Sequence, residues 1–572
     1  MEFWQLGNTT VRSGMRLKDG VAAFVEAGMT EGGIRGKEGD IRCRNALGRA
    51  GIVKLGTDKT NSVGRKWRAA MGKLGFLYPK VEKKWGFQQS ELGIMDGVTP
   101  SGYALVKADT VPAIQDCFLR AMSVPTSETE EGTLFAPLIW VLNVLLELEK
   151  RSGKPCVSFF EMAAVVQVTN PDDGIDEVVS RILELRVSRA NAASKRRFDK
   201  QYFEKESKDM GCNPHTFKDY ADMNIRYLKA SGLVQAHGKG IALVPEKHEL
   251  SESLTQIDSS HMTRLELYRE LCNGAHLPTD NAETALRVLK DQLSRAKQMG
   301  VLVEIDWSSL NTAGEINAAR YRVEEQISGK KEEIFAREQA SQWEEIAEYM
   351  GMLEDNKEKL VLDEENEVEL RIPRDERPAY LEWILWRAFL AIDTLVNKPY
   401  EVRSFKIDQD FLPVGTAPGN KPDLIAEFRN FVIVIEVTLS ESSRQEAMEG
   451  EPVRRHVADA VEKYSKKGKP VYGLFIAKNI DSNTAETFRI GVWYNKEDEK
   501  LDLSIIPFTI AQFKNIFEYL FRSGNASPDQ MLRIMTICQK DRTLDAPLWK
   551  NSINSRVEIL TREIINNYEV RL

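Results

Sequence analysis

The stretch PDLIAEFRNFVIVIEVT, from Pro422 to Thr438, constrains the fold of this chain more than any other. Two apolar runs flank Arg429-Asn430, a pair suited to a tight turn between strands. Phe431 to Ile435 is uninterrupted apolar sequence, yet the next residue is Glu436. In a strand, residues i and i+2 share a face, so Glu436 and Thr438 point together while Ile435 and Val437 point into the opposite core. A hairpin hinged near residue 430 then sets Asp423 opposite Glu436. Two carboxylates about 4 Å apart repel by roughly 4 kcal/mol at an effective dielectric near 20. Either one takes a proton or a cation sits between them. An oxygen-only pair with room for water and phosphate suits Mg²⁺.

The remainder of the chain bounds the alternatives. Its 572 residues exceed one hydrophobic core, and a prior of about 100–200 residues per domain predicts three or four units. No apolar run of about 18 residues occurs, which argues against a membrane span. The opening MEFWQLGNTTVRSG lacks the apolar core of a secretory signal. Six cysteines, at 43, 117, 156, 212, 272 and 538, form no CxxC pair and read as reduced thiols of a cytoplasmic protein. The six histidines form no HExxH or HxxxH pattern, which disfavours a zinc hydrolase. Net charge is −8, but the charge is unevenly spread: Arg35–Lys84 holds fourteen Lys/Arg against four Asp/Glu, whereas acidic residues crowd into 344–369. One part of the chain is suited to face phosphates, although a charge run also reads as a solvated helix face.

Pattern divides the chain into residues 1–125, 126–255, 256–370 and 371–572. In the first, VGRKWRAAMGKLGFLYP predicts an amphipathic helix closed by Gly75, and VTPSGYALV predicts a short strand behind a Pro-Ser-Gly turn. In the second, TFKDYADMNIRYLKASGLVQAHGKGIALVP predicts a helix ending at Gly232 and two strands pivoting on Gly238-Lys239-Gly240. A helix followed by a glycine-turned hairpin is the outline of a winged helix, which docks DNA or serves as a protein-interaction platform. Arg65, Lys66 and Arg68 in the first segment and Lys239 in the second are the candidate DNA contacts. PLIWVLNVLLELEKRSG reads as a core helix, and the basic stretch RVSRANAASKRRFDKQYFEKESKD as a solvated face or a phosphate contact. Residues 256–370 read as a charged helical linker, with EEIFAREQASQWEEIAEYMGMLEDNKEKL as a spacer. From 371 on, the helix RPAYLEWILWRAFLAIDTL is followed by strands EVRSFKI, PDLIAEF and FVIVIEVTL, a helix from Pro452 to about Lys466, the strand VYGLFIAK and a later strand LSIIPFT. That order predicts a mixed sheet with helices packed against it.

Pro422-Asp423 followed by Glu436-Val437-Thr438 resembles the PD-(D/E)XK nuclease signature. The wider run PDLIAEFRNFVIVIEVTLS…RQEAMEGEPVRRH resembles the AlwI-type family of type IIS restriction endonucleases, which includes strand-nicking enzymes. GLVQAHGKGIALVPEK and the closing YEVRL extend that resemblance over most of the chain. It implies a multidomain α+β chain: a mostly helical N-terminal half with winged-helix-like modules, a helical linker, and a C-terminal nuclease domain of PD-(D/E)XK type. Carried over residue by residue, it implies that Asp423 and Glu436 bind Mg²⁺, that Glu382 is the acidic residue on the preceding helix, and that His456 is the active-site histidine. Thr438 departs from the superfamily lysine, which makes lysine-assisted attack doubtful; Glu449 falls in the matching run without an assigned role. The implied substrate is double-stranded DNA in a bacterial cytoplasm, cut one strand per active site. A transient homodimer or a small second nuclease subunit would be needed to cut both strands. A non-catalytic DNA-binding regulator with a degenerate nuclease domain is the competing expectation.

Overall fold

The computed structural model describes residues 3–11, 13–34, 36–53, 61–363, 368–392, 394–441 and 444–569, with side chains described to residue 560. Arg35, Lys54 and Lys59 of the basic region, residues 364–367 of the acidic run and the side chains of YEVRL therefore lie outside the described residues. The chain forms two compact units, residues 1–327 and 328–572. No helix among the described residues is long and apolar enough to cross a membrane.

In the first unit, helix α1 (Ser62–Lys73) is followed by Gly75 at φ 69°, as the sequence predicts. VTPSGYALV is not a strand; it contains helix α2 (Pro100–Lys107). Thr99 caps that helix by accepting the Gly102 N–H at 3.0 Å, and Pro100 occupies its first turn, where the missing N–H costs nothing. Thr-Pro-Ser-Gly is thus a helix start and not a turn into a strand, and Val98, just before it, makes an isolated bridge to Leu77 where the strand was expected. PLIWVLNVLLELEKRS is helix α3 (Pro137–Ser152), with most of its apolar residues fully buried. A short strand β1 (Cys156–Val157) follows, then helix α4 (Pro214–Ala230) and strands β2 (Val234–His237) and β3 (Gly240–Leu243). The β2–β3 hairpin turns on Gly238-Lys239 as expected, and β1 adds a third strand in the order β1-β3-β2.

Residues 256–370 contribute to both units. Helix Ala282–Gln298 packs its apolar face on the start of α5 (Ala313–Glu338). The stretch read as a spacer contains α6 (Trp343–Glu354), whose Ile346, Met350 and Leu353 belong to the core of the second unit. A hairpin of β4 (Lys359–Asp363) and β5 (Val368–Arg371) carries part of the acidic run.

The second unit is built on helix α7 (Arg377–Ala391), strands β6 (Leu424–Glu427) and β7 (Val432–Thr438), helix α8 (Glu451–Ser465), strands β8 (Val471–Ala477) and β9 (Ile505–Thr509), and helix α9 (Ile510–Arg522). The strands form one sheet in the order β6-β7-β8-β9, with β6 antiparallel to β7 and the other pairs parallel. Phe428 N–H donates to Phe431 O at 2.9 Å across the two-residue turn Arg429-Asn430. Strand β7 is central and buried on both faces, which explains its apolar run. Ile433 and Ile435 enter the core shared with α7 and α9, whereas Val432 and Val434 enter the core under α8. Full burial of each such side chain contributes about 1.5–3 kcal/mol, so a sheet packed on both faces can carry several costly polar groups at its rim. EVRSFKI does not form the expected strand. Pro399 and a Glu401 side chain accepting the Lys398 N–H at 2.8 Å wind Pro399–Val402 into a helical turn, leaving isolated bridges from Arg403 to Leu424 and from Ile407 to Pro413.

Candidate active site

Asp423 immediately precedes β6, and the Leu424–Ile435 pairing continued by one residue sets it across from Glu436. Its Oδ2 accepts the Val437 backbone N–H at 2.8 Å. Glu436 shares its strand face with Val432 and Val434 and therefore lies under α8, where it is 8% exposed. From α8, His456 places Nδ1 2.6 Å from Glu436 Oε1. Glu382 enters from α7, and its Oε2 accepts the Ala417 N–H at 2.7 Å. The four acidic and imidazole groups named from the sequence thus meet at one end of the sheet, although they come from two helices and two strands.

A fifth group joins them. Residues Glu446–Gly450 form a π-helical turn that runs directly into α8. Pro452, in the first turn of α8, has no N–H to give the preceding turn, and a widened turn there is a common device at functional sites. Buried Gln445 anchors its start: the amide nitrogen donates to Ser440 O at 3.0 Å and Asn479 O at 2.7 Å, and the amide oxygen accepts the Asp481 N–H at 2.9 Å. The turn directs Glu449 to the Thr438 hydroxyl and near Glu436 and Asp423. Glu449 has no spacing to β7 that a period of two or 3.6 would reveal. Its advance signals are its place in the run RQEAMEGEPVRRH and Gly450-Glu451-Pro452, a sequence that starts one helix and interrupts another.

The electrostatics are those of crowded, poorly solvated acids. Burial, then the charges of Glu436 and Glu449, push Asp423 well above the usual carboxyl range, despite the Val437 N–H. Burial and Glu449 push Glu436 up likewise, with Arg455 opposing. Glu382 is pushed up to about 9 by burial and by Asp423. Burial also raises Glu449 and lowers His456, the latter helped by Arg455 and opposed by Asp423. Among the described residues, no Lys or Arg forms an ion pair with Glu382, Asp423, Glu436 or Glu449. A raised acid stabilises the fold while it keeps a proton that the unfolded chain releases, so this contribution is lost as pH rises. Glu382→Gln should therefore melt like wild type near pH 4 in metal-free buffer and progressively above it toward pH 9. A melting difference that does not grow with pH in EDTA would contradict that burial of charge.

The donor set fits a hard divalent cation better than any other occupant. Asp423 Oδ2 and Glu436 Oε1 are engaged, Glu436 also accepts from the Asp423 backbone N–H, and His456 Nε2 is buried without a partner among the described residues. No three His, Cys, Asp or Glu side chains among the described residues form a ready ligand cage. Asp423 and Glu436 would thus hold an ion as a pair, with water or phosphate oxygens completing its shell, which is the habit of Mg²⁺.

The expected DNA contacts lie in the other unit and are not equivalent. Arg65 is exposed and Lys66 half-buried on α1, and Lys239 is exposed at the tip of the β2–β3 hairpin. Arg68 is buried: it pairs with Asp96 at 2.6 Å and with Asp40, and also donates to Ile34 O. A guanidinium committed to two carboxylates and a carbonyl has nothing to offer phosphate, so Arg68 is corrected to a structural residue. Arg68→Ala would leave two inward carboxylates without their cation and should cost about 3–5 kcal/mol in urea unfolding. DNA retardation by the folded fraction should not change; a selective loss of DNA binding at wild-type stability would reverse this assignment.

A family profile described as AlwI restriction endonuclease matches residues 72–516. Among solved structures, the small subunit (R.BspD6I2) of the heterodimeric restriction endonuclease R.BspD6I is 26% identical over 37% of this chain and 97% of its own, with a TM-score of 0.27. No curated protein matches the chain.

Proposed function

The chain belongs to the AlwI restriction endonuclease family, and on that premise we propose a type IIS-like site-specific DNA endonuclease that hydrolyses phosphodiesters with Mg²⁺ at Asp423 and Glu436. The observation that carries this reading is the convergence of those two carboxylates at neighbouring strands, each raised by burial and by nearby acids and, among the described residues, neither paired with Lys or Arg. When bound, the cation would neutralise charge on the scissile phosphate and acidify a water. The chain's own residues then have separate tasks. Asp423 and Glu436 would hold the ion. Glu436 Oε1 orients His456 through Nδ1, leaving Nε2 to accept a proton from the attacking water or to donate to a phosphate oxygen. Glu382, held by the Ala417 N–H, and Glu449, held by the Thr438 hydroxyl, would accept hydrogen bonds from water bound at the site.

The helix and hairpin of α4, β2 and β3, with β1, follow the strand and helix order of a winged helix and are the proposed reader of an asymmetric site, with Lys239 on its wing. One such carboxylate cluster among the described residues supports one cut strand per chain, with a homodimer or a second nuclease subunit completing a double-strand break. A bacterial cytoplasm is the expected setting.

The test is incubation of supercoiled plasmid with the purified protein and Mg²⁺, followed by run-off sequencing of the ends. Ends at a fixed offset from a short asymmetric sequence, absent with EDTA, are the expected result. Thr438 in place of the superfamily lysine is what favours the regulator reading. Gel retardation without cleavage would establish that reading and remove this one.

A further inference from the structure

Glu332, near the end of α5, is 1% exposed, an unusual place for a carboxylate. Its two oxygens accept from Nε and Nη2 of Arg403, both at 2.8 Å. The third guanidinium nitrogen, Nη1, donates to Phe405 O at 2.6 Å, and the plane lies 5.8 Å from the Trp386 ring centroid. Every nitrogen of Arg403 is thus directed, and its backbone is tied just as closely to the candidate site. Arg403 bridges Leu424 across the sheet edge, and Ser404 N–H donates to Asp423 O at 3.0 Å. The clamped guanidinium is one residue along the chain from the group that holds the Asp423 backbone.

The same clamp touches the helix of Glu382. Trp386 follows Glu382 by one turn of α7, lies under Arg403, and stacks on Phe335 of α5 at 5.6 Å and 17°. Its Nε1 donates to Pro399 O at 3.0 Å, tying α7 to the segment that leads into Arg403. Stability alone does not account for this arrangement, because a buried ion pair returns about what its desolvation costs and apolar residues would fill the space as well. What a bidentate fork adds is direction: it fixes distance and angle together.

We infer that Glu332 and Arg403 are positioning residues that hold Asp423 in register with Glu436 and Glu382 for ion binding. The inference rests on the proposed nuclease reading and adds a residue pair to it. Three variants of the full chain test it: Glu332→Gln, which keeps an acceptor but loses the charge, Arg403→Lys, which keeps the charge but loses the fork, and Lys398→Ala, which removes an exposed pair with Glu333 on the same helix. For the first two, kcat should fall roughly 10–100-fold, and the Mg²⁺ concentration for half-maximal rate should rise several-fold. The rise in melting temperature on adding Ca²⁺ should shrink in parallel, a readout independent of turnover. KM for DNA and retardation in Ca²⁺ should stay within about twofold, since nothing that reads DNA has changed. Lys398→Ala should match wild type in every readout.

A merely structural pair would lower the melting temperature and leave kcat and the Mg²⁺ requirement unchanged when assayed well below it. That result in both Glu332→Gln and Arg403→Lys would overturn the inference while leaving the nuclease reading intact. A wild type that cuts no DNA would remove the nuclease reading, and this inference with it.

Discussion

Asp423→Asn and Glu436→Gln are each expected to lower the DNA cleavage rate by roughly 10³-fold or more and to raise the melting temperature of the metal-free protein. The two effects have one cause. In the absence of an ion, these acids are buried together beside Glu382 and Glu449 with no Lys or Arg ion pair among the described residues; the charges of Glu436 and Glu449 raise Asp423, and that of Glu449 raises Glu436. Replacing either by its neutral amide removes that repulsion and retains the shape of the site, so the empty fold gains. The same replacement removes half of the pair that would hold the cation. Wild type should be stabilised by added Mg²⁺ or Ca²⁺, by about 2.7 kcal/mol at 100 times the dissociation constant, and the variants should not be. Thermal melting with and without each ion, beside a plasmid nicking assay, measures both. Variants that are destabilised in EDTA, or that keep the ion-dependent shift, would show that these carboxylates are structural.

The second large effect concerns His456. His456→Ala should reduce kcat by about 10²–10⁴-fold, the usual contribution of a positioned acid or base, while the Mg²⁺-induced melting shift persists. Retention of the shift separates this histidine from the carboxylates it touches: Nδ1 is 2.6 Å from Glu436, but the free valence is on Nε2. Burial and Arg455 lower the imidazole's affinity for a proton, so its neutral, proton-accepting form is present at pH 7 and is lost only in acid. The wild-type rate should therefore fall on the acid side of pH about 6.5, and the residual activity of His456→Ala should lack that limb. A histidine that acts as an imidazolium donor would give the opposite slope. If His456→Ala also abolishes ion binding, the loss belongs to a collapsed site and the proton-transfer role is wrong.

Much of this site was legible because its parts are local. Pro422-Asp423, the turn at Arg429-Asn430 and Glu436 fall within one hairpin, and strand periodicity together with a two-residue turn sets their register. The apolar run of β7 announces a central strand, and helix α8 is announced by its amphipathic spacing. Other elements were misread where a short signal has two local meanings. Thr-Pro-Ser-Gly opens a turn or caps a helix, and Phe76, whose backbone oxygen closely approaches Gly102, belongs to the surroundings that go with the helix. EVRSFKI has strand composition, but Pro399 and Glu401 at its border wind its start into a turn. Arg68 looked like a phosphate contact beside Arg65 and Lys66 because its partners, Asp40 and Asp96, are 28 residues away on either side.

The sequence by itself determined the hairpin, the pairing of Asp423 with Glu436 and the need for either a proton or a cation at that pair, since these follow from bond geometry, a period of two and Coulomb's law. Only the tertiary structure decided what surrounds that pair. Glu382 arrives on α7 and Glu449 and His456 on the π-turn and helix α8, and the clamp from Glu332 to Arg403 spans 71 residues. Distances of that kind depend on how whole elements pack, and packing is a collective property of both cores flanking the sheet that no window of sequence contains.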